Sequence, residues 1–126
     1  MRKSIAFLAI GGLLILVMQA SVLNQSPGQV IPEDVEDVLK SACFDCHSND
    51  ASSKKGKIAL NFDKWESFKD SKKISKMGKI CKVVEEGKMP PEKYLKSKPD
   101  RAMTEAQKAM VCEWAAKETE KLMEGN

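Results

Sequence analysis

Apolar residues in this chain form one unbroken block near the start and periodic sets after it. Ile5 to Met18 is continuous apart from Gly11 and Gly12, and it follows Arg2 and Lys3. A basic start before such a block reads as a secretory leader. Met18-Gln19-Ala20 is a poor cleavage site, because methionine is bulky where a small residue is wanted. If Gln19 and Ser21 are tolerated, the block runs from residue 5 to Leu23 and totals 19 residues, close to a bilayer span. Residues 1–23 are therefore a signal peptide or an N-terminal membrane anchor. Residues 24–31 form a linker that includes the turn residues Ser26-Pro27-Gly28. Residues 32–126 form one folded domain.

From Pro32 onward the periodicity is helical. Proline suits the first helical position, and Glu33, Asp34, Glu36 and Asp37 suit the positive end of a helix. Val35, Val38, Leu39 and Ala42 then share one face. Ser48 to Lys57 is polar and reads as a surface loop. Asn61 caps a short helix on which Phe62, Trp65 and Phe68 recur every third residue. Ile74 to Glu86 forms another helix, with Ile74, Met77, Ile80, Cys81 and Val84 inward and Gly87 ending it. Thr104 and Gln107 form a capping box for a last helix that runs to about Met123. Its apolar stripe is Met110, Val111, Trp114, Ala115 and Leu122. The prediction is an all-α domain of three to four helices.

The first of these helices delivers Cys43-Phe44-Asp45-Cys46-His47, which contains the only histidine of the chain. Two thiols one helical turn apart can form thioethers with the two vinyl groups on one porphyrin edge. The histidine that follows can bind the iron from below, so the pattern is that of c-type haem attachment. Three other readings compete. A thioredoxin-like pair requires a βαβ setting, which the helical flanks do not provide. A zinc site requires four ligands, so Cys81 and Cys112 would have to join Cys43 and Cys46. The plainest reading is two structural cysteines beside a surface histidine. The haem reading predicts one covalent haem c, with Cys43 and Cys46 as attachment points and His47 as an axial ligand. With a single histidine, ligation by two histidines within one chain is excluded.

A second ligand candidate is Met89 in Lys88-Met89-Pro90-Pro91, a thioether on a loop stiffened by prolines. The alternative is a methionine that only packs against the haem edge. Helical spacing accounts for Met77, Met103 and Met110 as core. Phe62 and Trp65 read equally as walls of a haem pocket or as ordinary core. Cys81 and Cys112 lie on inward faces and read as a disulfide in an oxidising compartment, or as two buried thiols.

Net charge is mild at +3, and removal of Arg2 and Lys3 with a leader lowers it to +1. The mean hides an asymmetry. Residues 33–46 hold five acids and Lys40, whereas residues 48–82 hold ten lysines against Asp50, Asp63, Glu66 and Asp70. Such a run is either a solvated helix face or a surface that steers an acidic redox partner. No nucleic-acid ligand is expected. Aromatic residues make up only 6% of the chain, so a bound porphyrin would add a large apolar body to a thin core.

Three segments together carry a resemblance: Ser41 to Asn49, Leu60-Asn61-Phe62-Asp63-Lys64-Trp65, and Glu85-Glu86-Gly87-Lys88-Met89-Pro90-Pro91. In this combination the chain resembles the bacterial haem-binding domain family of small cytochrome-c-like proteins, over roughly residues 31–118. The resemblance implies covalent haem at Cys43 and Cys46 and ligation by His47 with Met89. Many members of the family carry an aromatic stretch after the haem motif. Here Asp50 to Lys57 is short and lysine-rich, and the expectation is a more exposed haem on that side. Cys81 and Cys112 look like additions to the family pattern. The resulting expectation is an exported electron carrier with no substrate chemistry, periplasmic or anchored to the cytoplasmic membrane through residues 5–23. The alternatives are a haem sensor or weak peroxidase with an open sixth site, and a zinc-stabilised interaction module.

Overall fold

The computed structural model describes residues 31–125. The leader or anchor and nearly all of the linker lie outside the described residues. Among the described residues no helix is long and apolar enough to cross a membrane.

Every regular element described is helical. Helix α1 is Glu33–Ala42, and the four buried side chains on it are Val35, Val38, Leu39 and Ala42, the face the sequence marks. Its last turn closes when the Cys43 N–H donates to Leu39 O at 2.8 Å. The Cys43 backbone then leaves helical geometry, and the chain restarts as the single turn α2, Phe44–His47. Helix α3 is Lys54–Ala59. It corrects the reading of that stretch as loop. The Ser53 hydroxyl accepts the Gly56 N–H at 3.0 Å, a cap that gives a polar segment a defined helical start.

Asn61 caps as expected, accepting the Asp63 N–H, but the element it starts is a 3₁₀ helix, Phe62–Ser67. Helix α4, Asp70–Glu85, begins one turn ahead of the expected Ile74, because its first turn is Asp-Ser-Lys-Lys and carries no apolar signal, although Lys73 is buried. It ends at Gly87, where φ is +65°. There the Gly87 N–H donates to Val84 O and the Lys88 N–H to Val83 O, the paired bonds of a Schellman motif. Helix α5, Glu92–Ser97, and a 3₁₀ turn at Pro99–Arg101 precede the last helix. Helix α6, Glu105–Glu124, starts in the predicted capping box, with both reciprocal Thr104–Gln107 bonds formed. Six α-helices thus replace the three or four expected. The long ones are α1, α4 and α6, whereas α2, α3 and α5 are segments of one or two turns.

The core forms where α4 and α6 pair and α1 packs on α6. The pair is antiparallel: Cys81 faces Cys112, and one turn back on α4 Met77 faces Thr119 further along α6. Leu39, Met77 and Val111 are wholly inaccessible. Trp65 brings the 3₁₀ segment into this core against Trp114, with ring centroids 5.6 Å apart. Met110 is only partly buried, whereas Met103 belongs to the core.

Cys81 and Cys112 form a disulfide, with alpha carbons 4.8 Å apart across α4 and α6 and 31 residues apart in sequence. Closing a loop of that length removes chain entropy from the unfolded state worth about 3.7 kcal/mol. Cys112→Ser should therefore lower the unfolding free energy by about 3–4 kcal/mol in a denaturant titration. Alkylation of the unfolded, unreduced protein should label neither Cys81 nor Cys112.

Candidate haem site

The motif is one compact turn. The Cys43 carbonyl accepts the Cys46 N–H at 3.1 Å and the His47 N–H at 3.0 Å, so both cysteines and the histidine are fixed to one backbone loop. Cys43 and Cys46 are free thiols, each partly buried. Burial pushes the Cys43 thiol up to about 12, and the neighbouring Cys46 adds to the rise. It is thus a neutral thiol at pH 7 rather than a thiolate poised for a soft cation.

The histidine is oriented by carbonyls. Its Nδ1 lies 2.9 Å from Gly56 O and 3.1 Å from Leu60 O. Two carbonyl oxygens can only accept, so Nδ1 carries a hydrogen, and in the neutral ring Nε2 carries the lone pair. This is the arrangement that readies an imidazole for a metal, because the bonds at Nδ1 fix the ring and leave Nε2 unengaged. Helix α3 is what brings the two carbonyls there. A Cβ at Gly56 would overlap the Cys46 carbonyl oxygen, so only glycine allows α3 to pack this tightly on the motif. Beyond the ring, the Asn61 side chain donates to Asn49 Oδ1 at 2.9 Å and the Asp63 carboxylate accepts the Asn49 N–H at 2.6 Å. These bonds join the turn after His47 to the 3₁₀ segment.

Phe62 comes against the motif. It stacks on Phe44 with centroids 5.4 Å apart, and its ring lies at 85° to the His47 ring at 6.5 Å. Trp65 is one ring further on, 6.2 Å from Phe62, and contacts Phe68 and Trp114 as well. It is 2% exposed, yet its indole N–H has no partner among the described residues. A buried donor left unpaired is costly. A haem edge, with its carboxylate substituents, is a group that could accept it. The free Nε2 of His47, two unbridged thiols, a flanking phenyl ring and an orphaned indole donor make a set that fits haem.

Met89 reaches the motif only indirectly. Its N–H donates to Val83 O at 3.1 Å, which holds it to the end of α4, and its side chain is 38% exposed. The Met89–Pro90 peptide is cis, and Pro90 is buried. Pro91 then caps α5, and α5 carries Tyr94 and Lys98 back to the haem motif. The Tyr94 hydroxyl donates to Asp45 Oδ2 at 2.8 Å and Lys98 Nζ to the same oxygen at 2.6 Å. Arg101 Nη1 donates to Ser41 O at 3.1 Å, on the other side of Cys43. Asp45 is held below its ordinary value by the Lys98 bond first and the Tyr94 bond second. Tyr94 is pushed up to about 12 by burial and by Asp45.

Sequence reasoning missed Gly56, Asp45, Tyr94, Lys98 and Arg101. The first sat inside an apparent loop. The others are ordinary surface residue types 49 to 60 positions from their partners, and nothing local marks such pairs. The sulfurs of Cys43 and Cys46 are free, whereas those of Cys81 and Cys112 are joined to each other. Among the described residues, the donors close enough to share an ion are these two and Glu85. The zinc reading therefore loses the two sulfurs it needed.

Residues 51–117, just over half of the chain, match the haem-binding domain family. The chain belongs to that family. The matched span begins four residues past His47, so it rests on the helices that enclose the motif rather than on the motif itself. No curated protein and no solved structure matches the chain.

Two glycines allow a test of the clamp. Gly56→Ala should cost about 1–3 kcal/mol by overpacking against a backbone atom that cannot yield. Gly78→Ala, in α4 where nothing lies within 4 Å of the added carbon, should stabilise by about 0.5–1 kcal/mol. Denaturant titrations of the two variants should thus move in opposite directions. The Asp45 bonds predict a pH dependence. A carboxyl depressed in the folded state stabilises above its unfolded value of about 3.9, and that contribution disappears as pH falls through the lower folded value. Asp45→Asn should therefore be less stable than wild type at pH 6, with the gap closing on acidification below about pH 4.

Proposed function

We propose that this protein is an exported mono-haem c-type cytochrome that carries electrons, with haem held covalently by Cys43 and Cys46 and ligated by His47 and Met89 in a cytochrome-c-like fold. The observation that carries this reading is the His47 tautomer. Two backbone carbonyls occupy Nδ1 and leave Nε2 as the free ligand atom, immediately after two unbridged thiols. Haem, when bound, supplies a one-electron iron couple. The protein's part is to hold and bias it. The Gly56 and Leu60 carbonyls keep the His47 ring fixed. Phe62 covers the side of the motif against which it stacks. Trp65 offers an N–H to a polar haem edge. Met89 occupies a loop pinned at Val83, and a thioether ligand favours the reduced iron.

With both axial positions filled by protein there is no place for a substrate on the iron, so the protein is read as a carrier and not an enzyme. The exposed lysines of α3 and α4, among them Lys54, Lys55, Lys72, Lys79 and Lys82, suit an acidic redox partner. The block at residues 5–23 is read as the export signal or the membrane anchor.

The test is expression of the full chain with haem-maturation machinery. Acid–acetone should leave the pigment on the polypeptide, and the ferric protein should be low-spin with a far-red methionine-to-iron band. Met89→Ala should abolish that band and lower the reduction potential. A wild-type protein that is high-spin and binds CO rapidly would instead establish the open-site sensor reading, which the partial exposure of Met89 favours.

A further inference from the structure

Helix α5 has no buried residue, although it lies between the Met89 loop and the haem motif. A six-residue helix without a buried face is not stable by itself and must be held by something else. Its two ends are held differently. At the start, Pro90 is buried and the Met89 N–H is bonded to Val83 O. At the far end the ties are polar: Tyr94 and Lys98 both bond one oxygen of Asp45, and Arg101 bonds Ser41 O. Asp45 and Ser41 stand on either side of Cys43, so these bonds grip the attachment turn itself. The Lys98 N–H also closes the last turn of α5 on Tyr94 O, which makes the two gripping side chains one unit.

We infer that Asp45, Tyr94 and Lys98 form a clasp that fixes α5 against the haem motif and thereby holds Met89 in place at the sixth coordination position. They are positioning residues: they act through the loop and not on the iron. The inference rests on the reading of Met89 as the sixth ligand. It adds what keeps that ligand in place. The clasp is half in water, with Lys98 49% and Asp45 34% exposed, so each bond is of moderate strength. The expected effect of losing one is therefore a three- to tenfold change in the fraction of time the loop is open, not a collapse.

The experiment uses ferric holoprotein of the full chain with imidazole as the competing ligand. Tyr94→Phe and Lys98→Met should each raise imidazole affinity about three- to tenfold. Amide exchange at Leu95 should quicken in parallel, while the global unfolding equilibrium shifts by no more than the same three- to tenfold factor. Lys96→Met removes the same charge from α5 but a partner, Glu92, outside the clasp, and it should change neither reading. Asp45→Asn should match or exceed the larger single effect. Unchanged Leu95 exchange in both Tyr94→Phe and Lys98→Met would refute the clasp. Faster exchange with unchanged imidazole affinity would refute its hold on the sixth position. If Met89→Ala itself leaves imidazole affinity unchanged, the ligand reading falls instead, and Leu95 exchange alone decides the clasp.

Discussion

A ring nitrogen set between two carbonyl oxygens is the constraint on which the site depends. Carbonyls cannot donate, so Nδ1 of His47 carries a hydrogen, and the neutral ring is the tautomer with its lone pair on Nε2. The two oxygens come from α3 and the residue just after it, and that helix can reach the motif only because Gly56 has no side chain. One missing carbon thus sets the depth at which a lysine-rich helix sits, and that depth selects which nitrogen faces outward. Phe62 adds a second contact, its ring set at 85° to the imidazole with centroids 6.5 Å apart.

The molecule divides its labour between two kinds of force. Apolar burial and one disulfide hold α1, α4 and α6, and Trp65 and Phe62 extend that core toward the motif. The short helices α2, α3 and α5 have no fully buried residue and are placed largely by hydrogen bonds, with Phe44 of α2 also packed against the core. A site built this way can be tuned by single polar substitutions without touching the core. Burial also carries costs near the site, seen in the unpaired indole N–H of Trp65 and in the neutral Cys43 thiol.

What could be read from residue order follows this division. Val35, Val38, Leu39 and Ala42 announce α1 by spacing alone, and Thr104 with Gln107 announces the start of α6. Both are local signals with a local physical cause. Gly87 marks the end of α4 for the same reason. The Cys81–Cys112 pair was readable as two inward faces, though only the antiparallel packing decides that they meet. Helix α3 was not legible, because a serine cap and a tolerated glycine in a polar run look like loop chemistry. The Asp45 contacts were not legible either. A carboxylate and a phenol 49 residues apart carry no mark of each other, and only the path of the chain through Pro90 and Pro91 brings them together.

The Schellman turn at Gly87 has a consequence for how this chain tolerates change in length. Between the bonds at Val83 and those at Asp45, the connection has no slack. A residue inserted among positions 87–91 would add up to about 3.5 Å of chain to that connection. Tyr94 and Lys98 could then be displaced from their carboxylate, though no buried side chain had altered. Most surface connections accept insertions readily. Here the number of residues matters more than their identity, and a one-residue indel would be more damaging than most substitutions in the same loop.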